Sequence, residues 1–124
     1  MPHGTLEVLV VEAKNLKSSL LDKTDPYVKL TVGGKTLKTT TKNNAGTHAE
    51  WSEKFEFDVY DGVNELYMEV WDADTGKDDL RGSKTIDLQH AFDKGTHDAT
   101  FTLTHKDKHA GDVRLVIYFK KNHR

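Results

Sequence analysis

The stretch Trp71-Asp72-Ala73-Asp74-Thr75-Gly76-Lys77-Asp78-Asp79-Leu80-Arg81-Gly82 places four aspartates within eight residues, between two strand-like segments. Carboxylates this close together repel one another, and protonation or a bound cation relieves the repulsion. A hard cation held by several carboxylate oxygens is most often calcium. Asp and Gly also form ordinary solvated turns, so the stretch alone is compatible with a calcium site and with an acidic turn.

Alternating apolar and polar residues surround this stretch along most of the chain, as is typical of half-buried strands. Phe55, Phe57 and Val59, for example, share one face of their segment, and polar residues occupy the other. Eight such segments are predicted, at 5–13, 27–32, 35–42, 51–59, 65–71, 83–88, 98–104 and 112–119, with one helical turn at 90–93. Eight strands joined by turn-forming residues predict an all-β fold, an eight-stranded antiparallel β-sandwich.

Two acidic loops of this sandwich are expected to meet. Alternate loops of an antiparallel sandwich gather at the same end. The loops at 16–25 and 72–80 are separated by an even number of strand reversals, so they can lie side by side. The first loop would then contribute Asp22 and Asp25 to a shared cavity. The second loop would contribute Asp72, Asp74, Asp78 and Asp79.

Length and composition restrict the class of protein. The chain has 124 residues, which fits one domain spanning 1–124, with a core at about 4–120 and a basic tail at 120–124. It has no Cys, which excludes disulfides, thiolate metal sites and cysteine nucleophiles. A net charge of −2 does not favour nucleic-acid binding through bulk charge. We find no signal-peptide pattern and no apolar run of the ~20 residues that span a bilayer, so we expect a soluble protein whose membrane contact is peripheral.

Four segments together resemble the C2-domain family, namely residues 4–8 (GTLEV), 25–29 (DPYVK), 51–57 (WSEKFEF) and 71–82. Their order and spacing recur together, and the resemblance covers nearly the whole chain. The small size and the acidic loop are similar to those of single-domain plant C2 proteins of the elicitor-responsive and small phloem-protein type. The resemblance implies a C2-like sandwich with permuted topology, in which the first and last strands are neighbours.

The resemblance also implies a calcium site, because the family binds calcium through loop aspartates and then docks on anionic phospholipid. The matching position in the first loop is Asp25. In the third loop the matching positions are Asp72, Asp74 and Asp79, and the carbonyl of Ala73 would complete the ligand shell. The implied cofactor is therefore Ca²⁺.

Two departures from the family pattern weaken this expected site. The aspartate that the family usually has six residues before Asp25 is Ser19 here, and the third loop is one residue short. Asp22 could replace the missing carboxylate from a shifted loop, and Ser19 and Asp78 are further candidate ligands. Because affinity falls with the number of charged oxygen ligands, we expect calcium binding at ~10⁻⁵ M or weaker without a membrane.

Two further groups of side chains are candidates for lipid contact. Leu20 and Leu21 lie at a predicted loop tip, where they could fold back onto the sandwich or insert into the membrane interface, contributing about 1.5–3 kcal/mol each. Five lysines could form a basic patch that gains roughly 1 kcal/mol per lysine on an anionic leaflet, or simply a solvated strand face. The patch would combine Lys38 and Lys42 on one strand face, Lys29 and Lys54 on neighbouring strands, and Lys35 at the hairpin.

We therefore predict a non-enzymatic signalling module that binds anionic phospholipid membranes in a calcium-dependent way. The protein is expected to be a cytoplasmic monomer that associates reversibly with the plasma membrane and that could also bind a protein partner. An alternative is a calcium-independent adaptor that binds protein or RNA, although nucleic acid is not the expected partner. A third alternative is a metal-dependent hydrolase that uses Asp72 and Asp74, but no apolar cleft flanks the loop acids.

Overall fold

Eight strands and one short helix form the fold in the computed structural model, which describes residues 3–17 and 24–122. The strands are β1 (Gly4–Lys14), β2 (Pro26–Val32), β3 (Lys35–Lys38), β4 (Ala49–Val59), β5 (Glu65–Asp72), β6 (Asp79–Asp87), β7 (Thr96–His105) and β8 (Lys108–Lys121). The helix, α1 (Gln89–Lys94), lies between β6 and β7 and matches the predicted helical turn. No helix of the described residues is long and apolar enough to cross a membrane.

The strands pair antiparallel in the order β3-β2-β5-β6-β7-β8-β1-β4. The pairing of β6 with β7 consists of the single residue pair Ser83–Thr104, so the sheet folds there into two four-stranded halves that enclose the core. This confirms the predicted eight-stranded β-sandwich, in a nearly closed form. β1 also pairs with β8 along its whole length, which confirms that the first and last strands are neighbours.

The core follows from the alternation of side chains along each strand. Leu6, Val8 and Val10 of β1 are completely buried, whereas the residues between them are only partly covered. Leu115 and Ile117 of the neighbouring β8 are equally buried. Full burial of such an aliphatic side chain contributes about 1.5–3 kcal/mol. The packed core therefore fixes the strand ends from which the loops start.

Gly82 allows β6 to approach β7 and β8 closely at the seam between the two halves. A Cβ at this position would lie 2.8 Å from the Ala110 Cβ and 3.1 Å from the Leu103 Cβ, closer than such atoms normally come. Packing at the seam therefore requires glycine at position 82, the last residue of the acidic stretch. The close approach also brings the β7–β8 turn next to the start of β6.

The described residues of four connections lie at one end of the sandwich, which we call the loop end: 15–17 with 24–25, 39–48, 73–78 and 106–107. The antiparallel order requires this arrangement, because each connection joins an odd-numbered strand to the next strand. Backbone hydrogen bonds tie the connections together, from the Leu16 N–H to the Thr47 oxygen at 3.1 Å and from the Ala45 N–H to the Thr24 oxygen at 3.0 Å. Helix α1 lies at the opposite end.

Three predicted strand boundaries are wrong by four residues, and one of them is the start of β8, which lies at Lys108 rather than at residue 112. β3 ends at Lys38 rather than at residue 42. The Val28 N–H bonds to the Thr39 side-chain hydroxyl oxygen instead of a backbone carbonyl, which ends the ladder. β6 begins at Asp79 rather than near residue 83, because its pairing with β5 extends to the Asp72–Asp79 pair. The acidic loop is therefore confined to residues 73–78.

Candidate metal centre

Asp25 and Asp72 join the first and third loops at the loop end. Asp72, the last residue of β5, pairs with Pro26 at the start of β2. The Asp25 N–H donates to Asp72 Oδ1 at 2.8 Å, and the Ala73 N–H donates to the Asp25 carbonyl oxygen at 2.9 Å. Proline has no N–H, so Asp25 supplies the donor that closes this end of the ladder. The two acidic loops therefore meet at these residues, as the strand order predicts.

An open cavity of about 270 Å³ lies beside this junction and is lined by Asp25, Ala73, Asp74 and Thr75. Asp25 Oδ1 accepts the Asn44 N–H at 2.6 Å, and Asp74 Oδ1 accepts the Thr75 N–H at 2.7 Å. Carboxylate and carbonyl oxygens are the ligands that calcium prefers. The oxygen ligands around the cavity therefore fit calcium, with carboxylates from Asp25 and Asp74, and Asp72 lies at the adjoining junction.

Asp72 is 7% exposed, and both of its carboxylate oxygens accept hydrogen bonds from the protein. Oδ1 accepts the Asp25 N–H, and Oδ2 accepts a bond of 2.8 Å from Arg81 Nη2. An opposite charge at this distance stabilises an ionised carboxylate, as a bound cation would. The Arg81 guanidinium is therefore bonded to Asp72 Oδ2, an oxygen that a metal ion at this carboxylate would need as a ligand.

A β-bulge places Arg81 next to Asp72. The two residues that flank Arg81 in β6 pair with Trp71 and Val70, which are consecutive in β5. Arg81 is therefore an extra residue of β6 without a partner in the ladder. Bulges bend a strand and redirect a side chain, and they are common beside functional sites. The sequence carries no clear signal for this bulge, because the residues before Gly82 read as part of an acidic loop.

The loop aspartates do not form a compact cage. In the part of the chain that the structure describes, only Glu12, His48 and Glu50 offer three metal-ligating atoms within 4.8 Å of one another. The loop carboxylates bind backbone N–H groups and Arg81 instead, which keeps their like charges apart. Calcium binding would therefore require Asp72 to exchange Arg81 for the ion.

Asp78 and Asp79 lie outside the cavity. The Tyr27 hydroxyl donates to Asp78 Oδ2 at 2.5 Å and the Asp74 N–H donates to Oδ1 at 3.1 Å, and these bonds hold the pKa of Asp78 below its usual range. Burial, followed by the bond to Asp78, raises the pKa of Tyr27 to about 12. Asp79 is exposed and lines a different cavity. The structure therefore leaves both carboxylates out of the group around Asp25.

Four candidate residues lie outside the described residues, namely the candidate ligands Ser19 and Asp22 and the candidate lipid contacts Leu20 and Leu21. In the sequence they belong to the segment 18–23, between Lys17 and Thr24. Whether Asp22 supplies a further carboxylate stays a prediction.

Lys29 and Lys38 are cross-strand partners on β2 and β3. Lys29 Nζ lies 4.9 Å from the centre of the Trp71 ring, and Lys38 Nζ lies 5.3 Å from the centre of the Tyr27 ring. Cation–π contacts of this kind contribute about 0.5–1 kcal/mol at exposed sites. The aromatic rings therefore offset part of the repulsion between the two ammonium groups and hold them on one face.

The other three lysines do not extend this pair into a single patch. Lys35 Nζ donates to the carbonyl oxygen of Glu56 at 3.3 Å. Lys42 lies beyond the end of β3. Lys54 lies on β4, which pairs with β1, and its Nζ is 4.0 Å from Glu7 Oε2. The prediction that Lys54 lies on a strand next to β3 is wrong, because alternation gives the face of a strand but not the strand order.

Sequence reasoning missed the group of Glu12, His48 and Glu50. His48 Nε2 lies 2.9 Å from Glu12 Oε1 and 3.7 Å from Glu50 Oε1. The hydrogen bond with His48 holds the pKa of Glu12 below its usual range. Only the register of β1 with β4, which places the two glutamates opposite each other, brings the group together. Its imidazole and carboxylate donors suit a transition metal better than calcium, but His48 and Glu50 are exposed surface residues.

Comparisons with known proteins agree with these features. A family model described as C2 domain matches residues 4–103. The 16 kDa phloem protein 2 of Arabidopsis thaliana is 37% identical over 123 residues, which are 97% of this chain and 84% of that protein. A solved C2 domain-containing protein from a putative elicitor-responsive gene has a TM-score of 0.86 and 33% identity, over 98% of this chain and 92% of that chain. The calcium-bound tandem C2 domains of Extended-Synaptotagmin 2 have a TM-score of 0.83 and 28% identity, over 96% of this chain and 46% of that chain. The resemblance to small plant proteins of this kind is confirmed.

Proposed function

The chain belongs to the C2-domain family, and from that membership we propose that its loop end binds anionic phospholipid membranes in a calcium-dependent way. C2 domains of the synaptotagmin type are membrane-targeting modules, and the similar domains of Extended-Synaptotagmin 2 were solved with calcium bound. Family members and the related small plant proteins are generally binding modules rather than enzymes. In this proposal the protein is a cytoplasmic monomer that associates reversibly with the plasma membrane.

The junction of Asp25, Asp72 and Ala73 is the observation that supports this function. Two acidic loops that are 47 residues apart in sequence share a side-chain hydrogen bond and a backbone hydrogen bond at this point. A solvated acidic turn without a binding role would not need a buried carboxylate bonded to a second loop. The arrangement instead holds oxygen ligands from both loops beside one cavity.

The chain's own residues would do three things in this function. Asp25, Asp72 and Asp74 would hold the ion, together with the carbonyl oxygen of Ala73. Bound calcium supplies positive charge and coordination positions that lipid phosphate or carboxylate oxygens can fill. Lys29 and Lys38 would add attraction of roughly 1 kcal/mol each near an anionic leaflet. Without calcium, the loop carboxylates would repel the same surface.

Co-sedimentation with vesicles of phosphatidylserine and phosphatidylcholine tests the proposal. We expect the protein to pellet with vesicles in calcium and to stay in the supernatant in EGTA. Asp74→Asn removes one ligand charge and should raise the calcium concentration for half-maximal pelleting by about tenfold. Asp58→Asn removes the same charge from an exposed position on β4 and should leave that concentration unchanged. Equal pelleting in calcium and in EGTA, or no pelleting in either, would contradict the proposal.

A calcium-independent adaptor that binds protein or RNA is the second candidate function. The bond between Arg81 and Asp72 favours it, because the loop end already contains an internal cation. A calcium titration followed by amide NMR separates the two functions. Shifts at residues 72–75 support calcium binding. The absence of loop shifts up to ~10⁻³ M calcium, the weak limit of protein calcium sites, supports the adaptor.

A further inference from the structure

A second cavity, of about 460 Å³, lies at the loop end between the start of β6 and the β7–β8 turn. We call it the basic pocket, because its charged lining consists of Lys17, Arg81, Lys106, Lys108 and one carboxylate, Asp79. Two histidines also line it. Arg81 is already paired with Asp72, so the lining leaves Lys17, Lys106 and Lys108 against Asp79, which makes a positive site on a chain whose net charge is −2.

The fold assembles the basic pocket from parts that are far apart in sequence. Lys17 lies near the start of the first acidic loop, and Arg81 comes from the bulge in β6. Lys106 lies in the β7–β8 turn, and Lys108 is the first residue of β8. The absence of a side chain at Gly82 allows β6 to reach the strand that carries Ala110. Four cationic side chains thus line one cavity, and because like charges repel, an anion in it would be stabilised.

The β7–β8 turn carries a lysine where the backbone favours another residue. Lys106 and Asp107 connect the two strands and have φ angles of 53° and 65°. A two-residue hairpin turn requires this left-handed conformation, which Gly and Asn adopt most easily. A lysine in such a position is strained, and sparsely populated conformations of this kind cluster at ligand-binding sites. The free-energy cost of this backbone conformation favours a ligand-binding role for the charge of Lys106.

Arg81 has an unused hydrogen-bond donor. Its Nη2 is bonded to Asp72, but its Nε is buried and has no hydrogen-bond partner among the described residues. Guanidinium groups bind two oxygens of one phosphate side by side, with a geometry that a lysine cannot reproduce. Nε is closed to solvent, whereas 31% of the Arg81 side chain is exposed, so an anion in the pocket would meet the guanidinium at its exposed atoms.

From these observations we propose that the basic pocket binds a phosphomonoester group. Such a group carries about −1.5 to −2 charges at pH 7 and three acceptor oxygens, which match a cavity lined by several cations better than a single carboxylate would. The volume of the pocket falls within the range of roughly 300–1,000 Å³ that is usual for small-molecule sites. Its three lysines favour an anionic ligand.

Two sources share this chemistry, a phosphorylated inositol lipid and a soluble inositol phosphate. The position at the loop end allows both, since a headgroup could enter the pocket while the rest of the lipid stays in the membrane. Asp25, Asp72 and Asp74 do not line the pocket, so the inference does not depend on calcium binding. Measurements in EGTA therefore separate this proposal from the proposed function.

Titration of the full chain with inositol 1,4,5-trisphosphate in EGTA, by calorimetry and by amide NMR, tests the proposal. We expect saturable binding with the largest shifts at residues 80–82 and 105–109.

Replacing both Lys106 and Lys108 with Gln should weaken binding about tenfold or more, because each substitution removes a charged hydrogen bond to the ligand. Replacing Lys84 and Lys94 with Gln removes the same charge outside the pocket and should change affinity by less than about twofold. All four positions are exposed, so both variants should keep the wild-type unfolding midpoint.

Vesicles identify the source of the phosphate. Binding in EGTA to vesicles with phosphatidylinositol 4,5-bisphosphate, but not to phosphatidylserine vesicles of equal charge, and its loss in the pocket variant, would assign the lipid. Binding of the soluble probe without such a vesicle preference would assign the soluble compound. Absence of binding to both probes, equal binding by the two double variants, or shifts centred on Lys29 and Lys38 would overturn the proposal.

Discussion

At the scale of single residues, Arg81 determines how the loop end responds to a cation. Its guanidinium is 2.8 Å from Asp72, inside the motif that predicts calcium binding, and it cannot lose its charge at physiological pH. Calcium must therefore compete with Arg81 for this carboxylate. The motif alone gives four acids but does not show that one of them already has a partner.

Replacing Arg81 with Met should strengthen calcium binding by about tenfold, because it removes the competing charge and keeps an unbranched side chain. Stability without calcium should fall by about 1–3 kcal/mol, since Asp72 Oδ2 loses its donor in a largely buried position. Calorimetry and urea unfolding measure the two effects. Lys77→Met removes the same charge from an exposed loop position and is the matched control. Calcium binding that is unchanged or weaker in Arg81→Met would show that Arg81 does not compete.

His97 should make the fold less stable in mild acid. Its ring stacks on His90 with 4.2 Å between ring centres, and its Nδ1 is buried without a partner in the described chain. Burial, followed by the nearby His90, lowers the pKa of His97 below 6.5. The unfolded chain then binds a proton that the folded chain does not. This contribution to stability is therefore complete above pH ~6.5 and is lost as the pH falls towards the lowered pKa.

Urea unfolding between about pH 5 and pH 8 checks this pH dependence of the His97 group. His97→Phe keeps an aromatic ring and removes the titration, so its stability should fall less on the acid side. His90→Gln removes the charge of His90, the smaller of the two causes that lower the pKa of His97, and leaves the burial unchanged. NMR should therefore find the pKa of His97 still lowered, but by less. Identical acid sensitivity in His97→Phe and the wild type would contradict this explanation.

At the scale of elements, Gly82 controls the seam between β6 and the β7–β8 pair. Gly82→Ala should lower the free energy of unfolding by about 1–3 kcal/mol, because the new methyl group would overlap Ala110 and Leu103. Urea unfolding measures the loss. Gly76→Ala is the control, since its Cβ would meet no atom within 4 Å. The double variant Gly82→Ala with Ala110→Gly should recover part of the loss, because it removes the methyl group that the new Cβ would overlap. Equal stability of Gly82→Ala and Gly76→Ala would contradict the packing argument.

The strands themselves could be predicted from the sequence, because the sandwich buries one face of each strand and alternation records that face. The meeting of Asp25 with Asp72 could also be predicted, since it depends only on counting strand reversals. The partner of β4 could not, because alternation is the same whether β4 pairs with β1 or with β3, and Lys54 was misplaced for this reason. The early start of β6 was missed because backbone pairing at Asp79 overrides the turn preference of Asp.

At the scale of the whole molecule, the loop end combines an acidic cavity with the basic pocket. The acidic half could be predicted because Asp72 and Asp74 are close in sequence and the count of strand reversals brings Asp25 to the same end. The basic half could not, because Lys17, Arg81 and the two lysines at the β7–β8 turn meet only through the seam at Gly82. Arg81 belongs to both halves, since it bonds to Asp72 and lines the basic pocket. A ligand of one half should therefore affect the other.

Calcium and a phosphomonoester should strengthen each other's binding through Arg81. If calcium takes Asp72, the guanidinium loses its carboxylate partner and becomes available to an anion. Thermodynamic linkage requires each ligand to raise the affinity for the other by the same factor, and we expect this factor to be about five or more. Calorimetry of each ligand with and without the other measures both factors, after correction for their direct association in a protein-free titration. The factor should fall to about one in Arg81→Met and persist in Lys77→Met, because only Arg81 contacts both sites. A wild-type factor of one would show that the two cavities bind their ligands independently.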